Sequence, residues 1–152
     1  MARVLVAGIG NIFRGDDGFG VEVVRRLADE RLGDDVDVGD FGIRGVHLAF
    51  EMASGKYTKI ILVDATSRGK PPGTLYAIEP DAADGDAGAD AHSLTPAAVL
   101  AWVHRIGGDC GRVILVGCEP ASVDESIGLS LPVQSAVDGA VKMVGELIAE
   151  GA

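Results

Sequence analysis

The sequence has few cysteines, a small share of basic side chains and no long hydrophobic run. Cys110 and Cys118 are its two cysteines, and their spacing fits neither a C-x-x-C redox motif nor a zinc motif. No apolar stretch approaches the roughly 18 residues that a membrane span needs, and the short apolar run near the N-terminus lacks a signal-peptide cleavage site. We therefore expect a cytoplasmic protein with reduced cysteines and no membrane partner.

The charge balance is acidic, with 13 basic against 23 acidic side chains and a formal net charge of −10. Nucleic acids and anionic membranes bind basic surfaces, so we expect no nucleic acid partner. Glycine is abundant, at 22 of 152 residues, which is about twice its usual share. These glycines follow no collagen repeat, so each is expected to meet a local backbone requirement. The length predicts a single domain over residues 1–152.

Hydrophobic periodicity predicts strands and helices in alternation. Short apolar runs predict five strands, at Arg3–Ile9, Asp35–Asp40, Lys59–Ala65, Thr74–Ile78 and Arg112–Val116. Apolar stripes of helical period predict four helices, at Gly18–Leu32, Gly45–Ser54, Thr95–Ile106 and from Ser130 onward. This order predicts an α/β fold in three layers, with helices on both faces of a mostly parallel sheet.

The connections between these elements predict the topology of the sheet. The eight residues between the third and fourth strands are too few for a helical crossover, so the fourth strand is expected to run antiparallel. Right-handed crossovers place strands two and three on opposite sides of strand one when the first two helices lie on opposite faces. Ligands of such sheets bind at the carboxyl ends of the strands, in the crevice between strands one and three.

Acidic side chains follow the strands that flank this crevice. Asp16 and Asp17 lie in a glycine-rich loop after strand one, and Asp64 lies near the end of an otherwise apolar strand. An aspartate before a helix can cap its amides, and a carboxylate at the end of a buried strand can accept hydrogen bonds from loop amides. Like charges this close would alternatively raise a pKa or bind a cation. The residues alone leave both interpretations open.

His92 follows the acidic, Ala- and Gly-rich segment Asp81–Asp90. A lone loop histidine is usually solvated, but His92 could instead complete a site with the two carboxylates. Two carboxylates and an imidazole form a mixed oxygen and nitrogen triad suited to zinc, nickel or iron. The sequence shows no convincing nucleophile triad, because Ser93 is adjacent to His92 and Cys118 is expected to pack in the core.

The sequence matches two ligand-binding motifs only in part, one for a dinucleotide and one for calcium. The dinucleotide fingerprint G-x-G-x-x-G begins at Gly8 and Gly10 but has Phe13 where the third glycine should stand. The run Asp84–Asp86 begins like a calcium loop, but Gly88 occupies a ligand position. We therefore expect neither a nucleotide nor calcium.

The segment GIGNIFRGDDGFGVEVVRRL resembles the opening of the hydrogenase maturation endopeptidases, which reads G-x-G-N-x-x-x-x-D-[DE]-x-x-G before a helix. Later segments match that family in the same order along nearly the whole chain: DFGIRGVHLAFEM, ILVDAT, PGTLY, His92, VGCEP and SIGLS. The resemblance implies an α/β/α sandwich with a mixed five-stranded sheet. It also implies a cytosolic enzyme that cuts a C-terminal extension from the precursor of a nickel–iron hydrogenase large subunit, after nickel insertion.

The resemblance also implies the site. The family's three metal-binding positions correspond to Asp17, Asp64 and His92, which would also be the catalytic residues. The nickel would belong to the substrate and serve as the recognition signal, with no permanently bound zinc. Whether the metal also polarises the carbonyl or activates water stays open.

Two rival functions remain at this point. Peptidyl-tRNA hydrolases share a G-x-G-N opening and a related sandwich, but they need a basic face for RNA. A protein of the same fold that binds nickel or the precursor without cutting it is the second rival. Incubation with a nickel-loaded precursor separates protease from binder.

Overall fold

A computed structural model describes residues 3–80, 95–107 and 110–150. Its strands are β1 Val4–Ile9, β2 Val36–Gly42, β3 Lys59–Ala65, β4 Leu75–Ile78 and β5 Arg112–Cys118. Its helices are α1 Phe19–Leu27, α2 Gly45–Met52, α3 Pro96–Ile106 and α4 Leu131–Ala149. A short 3-10 helix, Gly15–Gly18, directly precedes α1.

The strands form one five-stranded sheet in the order β2-β1-β3-β5-β4. The first three pairings are parallel, and β4 runs antiparallel to β5 at the edge of the sheet. The predicted mixed sheet with one antiparallel strand is therefore confirmed. β2 and β3 also lie on opposite sides of β1, so the carboxyl ends of β1 and β3 flank a topological switch point.

Alternating strand side chains build one core on each face of the sheet. Val6, Val63 and Val116 face α1 and α4 on one side. Leu5 and Leu62 face α2 and α3 on the other side. The predicted three layers are thus present, and β1 and β3 are buried on both faces, as their continuous apolar runs indicate.

The first helix is shorter than the predicted Gly18–Leu32. α1 ends at Leu27, and the amides of residues 28–30 bond to carbonyls three or four residues back. Residues 28–30 are exposed, so nothing packs against a further helical turn. Leu32 reaches the core from an irregular segment that turns at Gly33 with φ +111°. The apolar stripe is therefore real, but its last member does not lie on the helix.

Other boundaries differ by smaller amounts. α2 ends at Met52 instead of Ser54, and its final turn is closed by bonds to Ala49 and Glu51. β2 extends to Gly42 and β5 to Cys118, beyond the predicted ends. Both extensions lengthen strands at the carboxyl edge of the sheet. Within the described ranges, no helix has the length and apolar character needed to cross a membrane.

Candidate active site

The loop from β1 to α1 folds back tightly over the ends of the strands. Gly10 has φ +133°, a conformation that side chains other than glycine rarely adopt. A Cβ on this residue would lie 1.9 Å from the backbone oxygen of Asp17 and 3.6 Å from Oδ1 of Asp64. The Gly10 amide donates to the carbonyl of Gly42 at 2.9 Å, which joins this loop to the end of β2. The absence of a side chain at Gly10 therefore allows the backbone of Asp17 and the carboxylate of Asp64 to lie close to this residue.

Asp17 lies in the short 3-10 helix and is partly exposed. Its Oδ2 accepts a hydrogen bond from the amide of Asn11 at 2.7 Å. The Asn11 side chain in turn accepts from the amide of Phe13 at 2.9 Å. These bonds fix the loop around one oxygen of the carboxylate. No donor in the described part of the chain bonds to the other oxygen.

Asp64 is the penultimate residue of β3 and pairs in register with Gly117 of β5. It is only 4% exposed, and its Oδ1 accepts from the amide of Ala65 at 2.8 Å. Burial raises the pKa of its carboxyl well above the usual range, and the negative charge of Asp17 raises it further. Among the described residues, a single amide donates to this buried carboxylate, so the loop-amide interpretation explains Asp64 only in part.

The two carboxylates face a cleft of about 300 Å³ at the switch point. The residues that line this cleft come from four connections and from the end of β3: Asn11, Arg14, Asp17, Ile43, Asp64, Ala65, Thr95 and Val123. The predicted convergence of the Asp17 loop and Asp64 is thus observed. His92, like Ser93, falls outside the described residues.

Asp16 does not cap a helix, which is one of the two roles that the sequence leaves open for the acidic pair. Neither the 3-10 helix nor α1 has a side-chain cap. Asp16 is 1% exposed, and its carboxylate accepts from the amides of Ala121 and Ser122, at 2.8 and 3.1 Å. It also accepts from the amide and hydroxyl of Ser130, at 2.7 and 2.9 Å. The Asp16 carboxylate therefore holds the connection between β5 and α4 against the β1–α1 loop.

Burial alone would raise the pKa of Asp16, but the hydrogen bonds from Ser130, Ala121 and Ser122 outweigh burial and lower it. Asp16 is therefore a satisfied structural carboxylate. The sequence could not reveal this role, because Ser130 is 114 residues away in the chain.

Arg14 and the β5–α4 connection form a contact that sequence reasoning missed. Arg14 pairs with Ser126 in an isolated parallel bridge. The Ser126 amide donates to the carbonyl of Phe13 at 3.0 Å, and its carbonyl accepts from Gly15 at 2.8 Å. Nε of Arg14 donates to the carbonyl of Val123 at 3.1 Å. These bonds place both Arg14 and Val123 at the mouth of the cleft.

Neither Cys118 nor the other potential metal ligands form a second site in the described part of the chain. Cys118 is fully buried, and burial together with nearby acidic groups raises the pKa of its thiol to about 11, which makes it a packing residue. Across residues 3–80, 95–107 and 110–150, no three His, Cys, Asp or Glu side chains group as a metal site. The described part of the chain thus offers the pair Asp17 and Asp64.

Comparison with known proteins decides the family. A family model described as hydrogenase maturation protease matches residues 21–147. The chain belongs to the hydrogenase maturation protease family. This membership makes a peptidase the supported activity and decides against the peptidyl-tRNA hydrolase alternative.

Three relatives in this family match over nearly their whole length. A putative hydrogenase maturation protease of Methanocaldococcus jannaschii is 35% identical over 95% of this chain and 96% of its own. The crystal structure of a hydrogenase 2 maturation peptidase from a Thaumarchaeota archaeon is 36% identical, with a TM-score of 0.75 over 97% of this chain and 98% of its own. The hydrogenase maturating endopeptidase HybD from E. coli is 29% identical, with a TM-score of 0.81 over 97% of this chain and 93% of its own.

Proposed function

We propose that this chain is a cytoplasmic endopeptidase that removes the C-terminal extension of a nickel–iron hydrogenase large-subunit precursor after nickel insertion. The observation that supports this most directly is the placement of Asp17 and Asp64 on one cleft at the switch point. Family membership supports the class of substrate.

Nickel enters this proposal as part of the substrate. Asp17 and Asp64 offer carboxylate oxygens, and His92 is the proposed imidazole ligand. Thr95, three residues after His92 in the chain, lines the same cleft. Carboxylate and imidazole groups together suit a borderline divalent metal such as nickel. Recognition of the bound nickel would ensure that only a loaded precursor is cut.

The peptide cleavage itself needs proton transfer. Water adds to the carbonyl carbon, the C–N bond breaks, and a proton passes to the leaving amine. A carboxylate of the cleft accepts the proton from the attacking water and returns it to the amine. Ligation of the substrate's nickel by neighbouring side chains holds the scissile bond within reach, which supplies proximity and orientation.

The test is incubation of the purified chain with precursor prepared in nickel-loaded and metal-free forms, followed by mass spectrometry. We expect a shorter large subunit from the nickel-loaded form alone. Equal cleavage of both forms would contradict nickel recognition. A stable complex with no shorter product would favour a non-proteolytic binding factor instead.

A further inference from the structure

The candidate cleft contains one cationic side chain among the residues that the structure describes there. Arg14 lines the cleft together with the carboxylates of Asp17 and Asp64. It forms no ion pair with any carboxylate in the described ranges. A guanidinium that shares a cleft with two carboxylates and pairs with neither is notable in a protein of net charge −10. The positive charge is therefore available to a bound molecule.

The backbone and the Nε atom of Arg14 are also held in place by neighbouring residues. Its backbone pairs with Ser126, and its Nε donates to the carbonyl of Val123 at 3.1 Å. The segment that provides these partners is itself fixed by the buried Asp16 carboxylate, through Ala121 and Ser122. A guanidinium has several donors in one plane. With Nε fixed, the two terminal nitrogens donate no hydrogen bond to the described residues and remain available to a ligand.

A positively charged donor in this cleft would assist peptide hydrolysis for electrostatic reasons. When water attacks, negative charge develops on the oxygen of the scissile carbonyl. Asp17 and Asp64 nearby oppose that charge, so a donor carrying positive charge would lower the barrier most. A charged group that is already positioned needs little reorganisation during the reaction.

We propose that the Arg14 guanidinium donates hydrogen bonds to the carbonyl oxygen of the scissile peptide bond and stabilises the negative charge that develops there. This inference rests on the proposed peptidase function. In the step concerned, the water oxygen bonds to the carbonyl carbon, and its proton passes to a carboxylate of the cleft. The C=O electron pair moves onto the oxygen that Arg14 contacts. On collapse the pair returns, the C–N bond breaks, and the proton goes to the amine.

The alternative is that Arg14 only ties two loops together through Val123. The two roles predict different kinetics. A loop tie would alter stability or the affinity for the precursor, whereas stabilisation of a developing charge would alter the turnover rate with little change in KM. Guanidinium ions added to a variant that lacks the side chain could replace the charge but not the loop tie.

The experiment compares Arg14→Ala, Arg14→Lys and Arg14→Gln in cleavage of nickel-loaded precursor. The matched control is Arg31→Ala, which removes the same charge from an exposed position near the opposite edge of the sheet. We expect Arg14→Ala to lower kcat by about 100-fold with KM nearly unchanged. Arg14→Lys should retain more activity than Arg14→Gln, and millimolar guanidinium, but not urea, should restore part of the Arg14→Ala rate. Arg31→Ala should behave like the unmodified protein.

Two outcomes would overturn the proposal. Unchanged kcat in Arg14→Ala would exclude the assigned contact. A rise in KM or a fall in melting temperature without guanidinium rescue would assign Arg14 to loop attachment. If the unmodified chain does not cut the precursor at all, the peptidase function fails instead, so the two failures are distinguishable.

Discussion

Asp16 and Asp17 are adjacent in the chain, but their carboxylates have opposite surroundings. Asp16 is buried and accepts four hydrogen bonds from the connection between β5 and α4. Asp17 is partly exposed, accepts one bond from Asn11 and lines the cleft. The 3-10 turn that contains both residues separates the two side chains. Asp16 therefore stabilises the loops around the site, whereas the carboxylate of Asp17 is available to the substrate.

Replacement of Asp16 should lower stability. Asp16→Ala would leave the amides of Ala121, Ser122 and Ser130 without their acceptor. We expect the free energy of unfolding to fall by about 3 kcal/mol, since orphaned buried donors are costly. That loss corresponds to a melting temperature lower by roughly 5–10 °C for a chain of this length. Urea and thermal unfolding measure both quantities.

Asp17→Ala is the control for this prediction, because it removes the same group one residue away. Asp17→Ala removes the acceptor of one described amide, that of Asn11, so it should lose clearly less stability than Asp16→Ala. If the two variants lose equal stability, the hydrogen bonds of Asp16 do not make the contribution to the free energy of unfolding that we assign to them.

Replacement of the proposed ligands should remove activity and keep the fold. Asp17→Ala, Asp64→Ala and His92→Ala are each expected to slow processing of nickel-loaded precursor by about 100-fold or more, since each removes a ligand or a proton-transfer group. Circular dichroism and melting temperature check the fold, and mass spectrometry of the precursor checks processing. Asp29→Ala, at an exposed position after α1, is the matched control. Normal processing by all three variants would refute the assignment.

Much of the sheet could be predicted because its signals are local. The apolar runs of β1 and β3 and the short connection before β4 are readable without knowledge of distant residues. The position of Asp64 follows from the same reasoning, since it ends a buried strand. These predictions depend on the regular period of strands and on the handedness of crossovers.

The contacts that finish the site could not be predicted because they join distant parts of the chain. Arg14 meets Val123 across 109 residues, and Asp16 meets Ser130 across 114. From sequence alone, helix capping is a local explanation for one aspartate of the acidic pair, with metal ligation as the alternative. The end of α1 was misplaced for a related reason, because Leu32 packs in the core without being helical. Tertiary packing decided each of these cases.

The amino-terminal end of the sheet offers a prediction on pH. Asp37 accepts from Arg3 at 2.6 Å and from the Tyr57 hydroxyl at 2.9 Å. The hydrogen bond from Arg3 is the main cause that lowers the pKa of Asp37. A pKa lowered by folding contributes stability above the unfolded pKa, and the contribution disappears as pH falls through the folded value.

Asp37→Asn should therefore be less stable than the unmodified protein at neutral pH, and the difference should shrink as pH falls through the folded pKa of Asp37, which lies below the usual value of an aspartate. Urea unfolding at several pH values measures it. Added salt should reduce the neutral-pH difference, because both partners are partly exposed. A difference that persists unchanged into acid would show that the charge of Asp37 is not the cause.

Two helical glycines provide the sharpest test of how the site is positioned. A Cβ on Gly20, at the start of α1, would lie 2.1 Å from the Val63 carbonyl oxygen and 2.6 Å from that of Ile9. A Cβ on Gly145, in α4, would meet nothing within 4 Å. Gly20→Ala should therefore destabilise the fold by about 3 kcal/mol or more. Gly145→Ala should stabilise it by about 0.5–1 kcal/mol through helix propensity.

The variants Gly20→Ala and Gly145→Ala should also differ in how they process the precursor. Both atoms that Gly20 would strike are backbone atoms at the ends of β1 and β3, so α1 would have to move away from the sheet. That movement would displace Asp17, which lies in the 3-10 helix directly before α1, relative to Asp64. At temperatures where Gly20→Ala is still folded, it should process the precursor more slowly than the unmodified protein. Gly145→Ala should process the precursor at the normal rate. Full activity in folded Gly20→Ala would mean that close helix–sheet contact is not what fixes the distance between the two carboxylates.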